Sequence, residues 1–257
     1  MKYLDLTFPT PEENLACDEA LLECGDAGGP EVLRFWTPRH HCVVVGYSNS
    51  VEREVHVEAC RKRNVPILRR CTGGGTVLQG PGCLNFSLIL RMDSHPALQT
   101  VIGTNRFVME RNRAALENLL VRSNRHGEAL FSKSEIGNRK SEISVRGHTD
   151  LARGDRKFSG NAQRRRHRAV LFHGTILLNL DLSLVGELLP MPSKHPDYRH
   201  NRDHAEFLMN LGMPEQEMKD VLRRSWKAAE VLKVVPVAEI RKLADQKYAT
   251  EAWNLKF

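Results

Sequence analysis

Between residues 69 and 77 the chain reads Arg69-Arg70-Cys71-Thr72-Gly73-Gly74-Gly75-Thr76-Val77. A strand-like stretch from Pro66 to Arg70 precedes it, and another from Leu84 to Arg91 follows. Three consecutive glycines inside a strand would weaken it, so they belong to the link between the two. Two readings are open. Bare backbone can approach a ligand closely and offer it N–H groups, with the paired arginines neutralising a carboxylate or phosphate. Alternatively, the segment is a loose hairpin turn with surface arginines. It is neither a Walker A loop nor a GxGxxG fingerprint.

Outward from this stretch, strands and helices mix without repeats and without regular βα alternation. Thr10-Pro11-Glu12-Glu13 reads as a helix start, with Thr as N-cap, Pro at the first helical position and Glu three after the cap. Strands are expected at Lys2 to Thr7, Val32 to Trp36 and Val43 to Gly46. A charged helix is expected over Glu54 to Asn64 and a long one over Pro96 to Arg122. Arg156 to Gln163 and Ala169 to Leu180 read as a hairpin joined at an Arg-Arg-Arg-His-Arg tip. Helices near His204 to Asn210, Glu215 to Lys227 and Val237 to Lys247 close the chain. The expected class is α+β, with a mixed, mostly antiparallel sheet packed with helices in a single domain over residues 1–257.

Composition sets bounds. The chain has 257 residues, 41% hydrophobic and 27% charged, an ordinary globular profile that excludes a disordered chain. No apolar run is long enough to span a membrane, and no signal peptide is visible, so a cytoplasmic location is expected. All six cysteines precede residue 84 and form no CxxC pair, which fits free thiols in a reducing compartment. The net charge is +7, and no acid occurs from Arg156 to Leu180. Without interleaved aromatics or a known module, that run does not indicate nucleic acid. His195, His200 and His204 lack the framework of a metal site.

Two further segments carry candidate chemistry. In Lys157-Phe158-Ser159-Gly160-Asn161-Ala162-Gln163, a lysine beside small residues either reaches into a groove to hold a carboxylate or phosphate, or is an exposed strand lysine. His173, in His173-Gly174-Thr175, reads as a structural hydrogen-bonding residue rather than a catalyst.

Taken together with Pro81-Gly82-Cys83-Leu84-Asn85-Phe86-Ser87, Gly147-His148-Thr149-Asp150-Leu151, Lys247-Tyr248 and Trp253-Asn254, these segments resemble the lipoate–protein ligase family. That family shares a catalytic fold with the biotin ligases. The resemblance implies that the carboxylate of lipoate or octanoate attacks the α-phosphate of ATP, giving acyl-AMP and pyrophosphate. A lysine of a lipoyl carrier domain then takes the acyl group, the carrier being a 2-oxoacid dehydrogenase or the glycine cleavage H protein. By the same resemblance Lys157 touches both the acyl carboxylate and the nucleotide phosphate. Arg70, Gly75, Thr76, Val77 and Leu78 line the nucleotide and acyl pocket. Asp150 falls in the adenylate or Mg²⁺ region, and Gly73, Gly74, Asn85, Gly160, Ala162 and His173 fall on the substrate side.

Three departures and rivals accompany this reading. Family ligases often carry His-Asp where this chain has Gln79-Gly80, which bears on substrate preference. Many carry an accessory domain beyond the tryptophan, whereas this sequence ends at Phe257, so a separate accessory protein is expected or ligase activity is incomplete. Octanoyltransferases and lipoyl amidotransferases of the same fold use no ATP and pass the acyl group through a cysteine thiolate. In the most similar groups that cysteine falls in the stretch reading Glu142-Ile143-Ser144-Val145-Arg146 here, and Cys71 is the one thiol beside the glycine loop. Ligase is therefore expected over transferase. A non-catalytic acyl- or nucleotide-binding module and biotin as the acid are further alternatives. For the arginine tip, a solvated hairpin and a dock for an acidic lipoyl domain are the two expectations.

Overall fold

The computed structural model describes residues 1–125 and 143–257, and Glu142 lies outside them. Eleven strands are described: β1 Lys2–Asp5, β2 Val32–Trp36, β3 Cys42–Val45, β4 Ile67–Arg69, β5 Val77–Gln79, β6 Cys83–Arg91, β7 Ile143–Arg146, β8 Asp150–Arg153, β9 Arg156–Arg165, β10 Ala169–Leu177 and β11 Glu230–Val231. The described α-helices are α1 Pro11–Asp26, α2 Val51–Glu54, α3 Val57–Lys62, α4 Val101–Arg125, α5 Ser183–Leu188, α6 His204–Phe207, α7 Glu215–Ser225, α8 Val237–Leu243 and α9 Glu251–Asn254. The main sheet has eight strands in the order β11-β1-β2-β6-β10-β9-β8-β7, and a small sheet runs β4-β3-β5. Only β11·β1, β1·β2 and β3·β4 are parallel pairs, so the expected mixed, mostly antiparallel α+β fold holds. Among the described residues no helix is long and apolar enough to cross a membrane.

Strand β6 shows how the faces divide. Phe86, Leu88 and Leu90 join a core with Val108 and Leu116 of α4 and Met218 and Leu222 of α7. Ile89 packs with Leu15 and Leu22 of α1 on the opposite face. Asn85 and Ser87 share the parity of Ile89, so the buried polar residues of β6 look toward the α1 side. Helix α1 starts as its sequence demands: Thr10 accepts from the Glu13 N–H, and the Glu13 carboxylate answers the Thr10 N–H.

One buried ion pair fastens α1 to the sheet. Arg34 of β2 is fully buried, and its Nη1 meets Asp18 Oδ1 at 2.6 Å. The same guanidinium donates to the Asn14 carbonyl and side chain, each at 2.8 Å. Burial pushes the Asp18 carboxyl up, but Arg34 and His173 outweigh it and hold the carboxyl below its ordinary range.

Three arginines of the tip are half-buried and bonded to neighbouring elements, while His167 and Arg168 stay exposed. Arg164 donates to the Cys71 carbonyl at 2.8 Å, Arg165 to the Leu98 carbonyl at 2.6 Å and to Thr104, and Arg166 pairs with Glu23. These arginines tie the β9–β10 hairpin to the glycine-loop strand, to α4 and to α1. The expected charged helix over Glu54 to Asn64 is also divided, into α2 and α3, with extended Val55 between.

Two outcomes follow. Asp18→Asn removes the partner of a buried guanidinium and should cost about 3–5 kcal/mol at neutral pH. Because the folded carboxyl titrates below its ordinary 3.8, its contribution is complete above that value and is lost as pH falls through the folded pKa. Urea denaturation at stepped pH should therefore show the gap from wild type narrowing below 3.8; a constant gap would contradict the pairing. Reversal of Arg164, Arg165 and Arg166 to Glu should lower the thermal midpoint by many degrees rather than weaken carrier binding alone.

Candidate active site

A cleft of about 720 Å³ opens on the α1 side of the main sheet, between the glycine loop and the 190–204 segment. Its floor follows the strand register. Trp36, Asn85, Thr175, Gly160 and Asp150 lie side by side across β2, β6, β10, β9 and β8. Two residues along, Arg34, Ser87, His173 and Ala162 form a parallel row. Side chains of one parity share a face, so these two rows face the same way.

Lys157 reaches that face through a bulge. Gly160 pairs with Asp150 and Ser159 with Leu151, but Ala152 then pairs with Lys157, leaving Phe158 as the extra residue. Regular alternation would put Lys157 on the side opposite Gly160. The bulge lets Phe158 enter the core against α4 and turns Lys157 into the cleft. There its ammonium meets Asp150 Oδ1 at 2.8 Å. A Cβ on Gly160 would lie 2.8 Å from the Lys157 Nζ and 2.9 Å from its Cε, so the lysine stem crosses where a side chain would stand. The Lys157 carbonyl accepts from the Met209 N–H at 2.9 Å, which fixes the bulged backbone.

The glycine loop forms the facing wall. Arg70 Nη2 donates to the Gly73 and Gly75 carbonyls, each at 2.7 Å, Nε to Thr72 Oγ1 at 2.9 Å, and Nη1 to the Val44 carbonyl at 3.2 Å. Burial lowers its pKa to about 10, so it remains a cation at neutral pH. Gly74 needs its lack of side chain twice: φ is +89°, and a Cβ would stand 2.9 Å from Arg70 Nη2. Gly73 and Gly75 have no such need, since an added Cβ would meet open space. The N–H groups of Gly73, Gly74, Gly75 and Thr76 have no acceptor among the described residues.

His173 lies within a hydrogen-bond chain rather than free in the cleft. Its Nδ1 is 2.9 Å from Asp18 Oδ2 and its Nε2 2.7 Å from Thr72 Oγ1. Because Arg70 already donates to Thr72, the consistent assignment has the Thr72 hydroxyl donating to Nε2 and the His173 Nδ1–H to Asp18. The loop is thereby locked to α1, as expected of a structural histidine. Gly174 accompanies it because a Cβ there would fall 1.8 Å from Asn161 Oδ1.

The paired arginines divide their work. Arg69 is fully buried and donates to the carbonyls of Gly46, Asn49, Trp253 and Asn254, while Trp253 Nε1 donates back to the Arg69 carbonyl. It binds the end of the chain, not a ligand. At the Gln79-Gly80 departure, Gln79 Nε2 donates to Asn85 and Thr175, and the His41 ring occupies the space a Gly80 side chain would need. Of the expected site residues, only Gly73 does not line the cleft. Sequence reading missed the bulge, Tyr198 and Asp18, which are read from strand register and long-range packing rather than from local pattern.

Both Asp150 oxygens are engaged, one by Lys157 and the other by the Tyr198 phenol at 2.9 Å. Among the described residues no group of three or more His, Cys, Asp and Glu side chains could hold a metal ion, and that includes His195, His200 and His204. All six cysteines are described, and none lines the cleft. Burial pushes the Cys71 thiol up to about 12, as it does those of Cys17, Cys42 and Cys83.

The chain is similar to several known proteins. The family model for the lipoyl protein ligase A/B catalytic domain matches residues 10–235. Octanoyltransferase LipM of Geobacillus kaustophilus is 27% identical, over 99% of this chain and 98% of its own length. Lipoate-protein ligase A subunit 1 of Thermoplasma acidophilum is also 27% identical, over 94% of this chain and 91% of its own. A solved lipoate-protein ligase A bound with ATP superposes with a TM-score of 0.74 at 27% identity, covering 99% of each chain. A floor of sheet residues, an inward lysine and a clamped triple-glycine wall thus sit in a chain that belongs to the lipoyl protein ligase A/B catalytic domain family.

Proposed function

We propose that this chain, acting as one catalytic domain, is a lipoate–protein ligase that activates lipoate or octanoate with ATP and passes the acyl group to a lysine of a lipoyl carrier domain. The observation that carries the reading is Lys157, a half-buried ammonium inside a cleft lined by no cysteine.

A carboxylate and a triphosphate repel each other, so bringing them together needs fixed positive charge and donors. Lys157 supplies an ammonium on the floor, Arg70 a buried cation behind the wall, and Gly74, Gly75 and Thr76 unoccupied N–H groups. One oxygen of the acid attacks the α-phosphorus, the bond from that phosphorus to the bridging oxygen breaks, and pyrophosphate leaves. The neutral ε-amine of the carrier lysine then attacks the acyl carbon. The carbon–oxygen bond breaks, AMP departs with the bridging oxygen, and the amine proton passes to solvent. In this reading Gly75, Thr76, Val77 and Leu78 lie along the nucleotide and acyl chain, while Asn85, Ala162 and His173 shape the substrate side. Mg²⁺ would be held mainly by the triphosphate and water and would offset the phosphate charge, with Asp150 the carboxylate beside Lys157 that would complete its shell. The ATP-bound ligase supports the nucleotide, and the relative named as a subunit 1 supports a separate accessory protein.

The resemblance to octanoyltransferase LipM favours a second reading, ATP-independent transfer from an acyl donor. That chemistry needs an accessible thiolate. Cys71 is the thiol nearest the loop in sequence, and it is buried, with its pKa raised to about 12.

Two outcomes test the reading. Lys157→Ala should fold normally yet lose at least a hundredfold in acyl-AMP formation, scored as AMP released from ATP and octanoate, while Cys71→Ser keeps activity within a few-fold. Transfer from octanoyl carrier protein without ATP, abolished in Cys71→Ser, would reverse the order of the two readings. Gly75→Ala should leave the thermal midpoint near wild type and raise KM for ATP or octanoate several-fold. Gly74→Ala should lower the midpoint as well, because its φ and the Arg70 contact both resist a side chain.

A further inference from the structure

Lys157 takes its direction from Asp150, and Asp150 takes its own from a residue outside every motif above. The Tyr198 phenol donates to Asp150 Oδ2 at 2.9 Å, while Oδ1 of the same carboxylate faces the Lys157 ammonium at 2.8 Å. No second hydrogen-bond partner holds that ammonium among the described residues. An ammonium has three N–H donors, so those not engaged by Asp150 remain for a ligand.

Tyr198 is itself firmly held. It lies in the 3₁₀ turn Asp197–Arg199, which forms part of the wall opposite the glycine loop. Arg202 donates to the Tyr198 carbonyl at 2.8 Å and pairs with Asp155 at 3.0 Å. The Tyr198 ring packs on Phe207 with centroids 5.2 Å apart, and the Arg146 guanidinium stands 5.9 Å from the ring centre. Gly147, at φ +53°, passes so near that a Cβ would lie 3.3 Å from Pro196 and 3.8 Å from the tyrosine ring. Burial, then the adjacent Asp150 carboxylate, push the phenol far above its ordinary pKa, so it stays a donor.

We propose that Tyr198 is a positioning residue for acyl-adenylate formation, holding Asp150 so that a single carboxylate oxygen meets Lys157 and the remaining ammonium donors point into the cleft. This rests on the ligase reading above. The phenol occupies one oxygen and fixes the plane of the carboxylate. Without it, Asp150 is free to turn and engage Lys157 with both oxygens, drawing the ammonium away from the reacting carboxylate and phosphate. Tyr198 also shares the negative charge of Asp150, so its loss tightens the competition between Asp150 and the substrate acid for the same cation. Because the phenol acts only through Asp150, the two should behave as one unit.

The test is a double-mutant cycle of Tyr198→Phe, Asp150→Asn and the pair, read in pyrophosphate release with ATP and octanoate and in thermal midpoint. Tyr198→Phe keeps the ring against Phe207. It should lower kcat about tenfold, raise KM for octanoate and leave KM for ATP within about twofold. Added to Asp150→Asn, it should cost almost nothing more. Independent, multiplying losses, or Tyr198→Phe at wild-type kcat and KM, would overturn the proposal while leaving the ligase reading intact. A wild-type chain that releases no pyrophosphate would instead overturn the ligase reading, and this proposal with it.

Discussion

The cleft depends on one lysine being turned through a bulge. Phe158 fills the core beneath the sheet, and the register slip beside it brings Lys157 to the face occupied by Asp150 and Gly160. A positive charge placed in this way is costly unless compensated, and Asp150 compensates it at 2.8 Å. The neighbouring requirements follow from this placement. Gly160 must lack a side chain so that the lysine stem can cross it, Met209 must hold the bulged carbonyl, and Tyr198 must steady the carboxylate. The pair is aimed by a short-range geometric device and not by flexible surface electrostatics, which would be weak and screened.

The glycine wall is fixed by equally local contacts. Arg70 turns its guanidinium onto the loop's own carbonyls, so the loop keeps a fixed shape while its N–H groups stay unoccupied. Thr72, His173, Asp18 and Arg34 continue the connection into α1 and β2. The cavity thus combines a rigid frame with open space at Gly75. That combination suits a ligand carrying two anionic groups and an apolar chain. It also explains why Arg69, adjacent in sequence, plays a different part. A strand alternates its faces, and Arg69 meets Trp253 and Asn254.

Much of this was legible in the residues. The capping box at Thr10 and Glu13 announced α1, whereas the triple glycine and the Lys157 segment each left a ligand-facing and a plain surface reading open until the family resemblance joined them. What remained hidden has physical reasons. The bulge is a property of two strands in register, and Lys157 alone carries no sign of which face it will take. Strands β7 and β8 are only four residues each, too short for alternation to stand out, and β11 has two. The arginine tip looked like a solvated charge run because its partners, Glu23 and the carbonyls of Cys71 and Leu98, lie from 67 to 143 residues away in sequence. Tyr198 belongs to a stretch of irregular backbone with no periodicity to read.

The route of one oxygen atom separates the ligase from every thiol-based alternative. Octanoate labelled with ¹⁸O in both carboxylate positions, incubated with ATP and a lipoyl carrier domain, should yield AMP containing one ¹⁸O in its phosphate by mass spectrometry. The label arrives there because the carboxylate oxygen that attacks phosphorus leaves with AMP when the amine takes the acyl group. Acylated carrier formed with unlabelled AMP, or formed from an acyl donor with no AMP at all, would contradict adenylation of the acid in the cleft of Lys157.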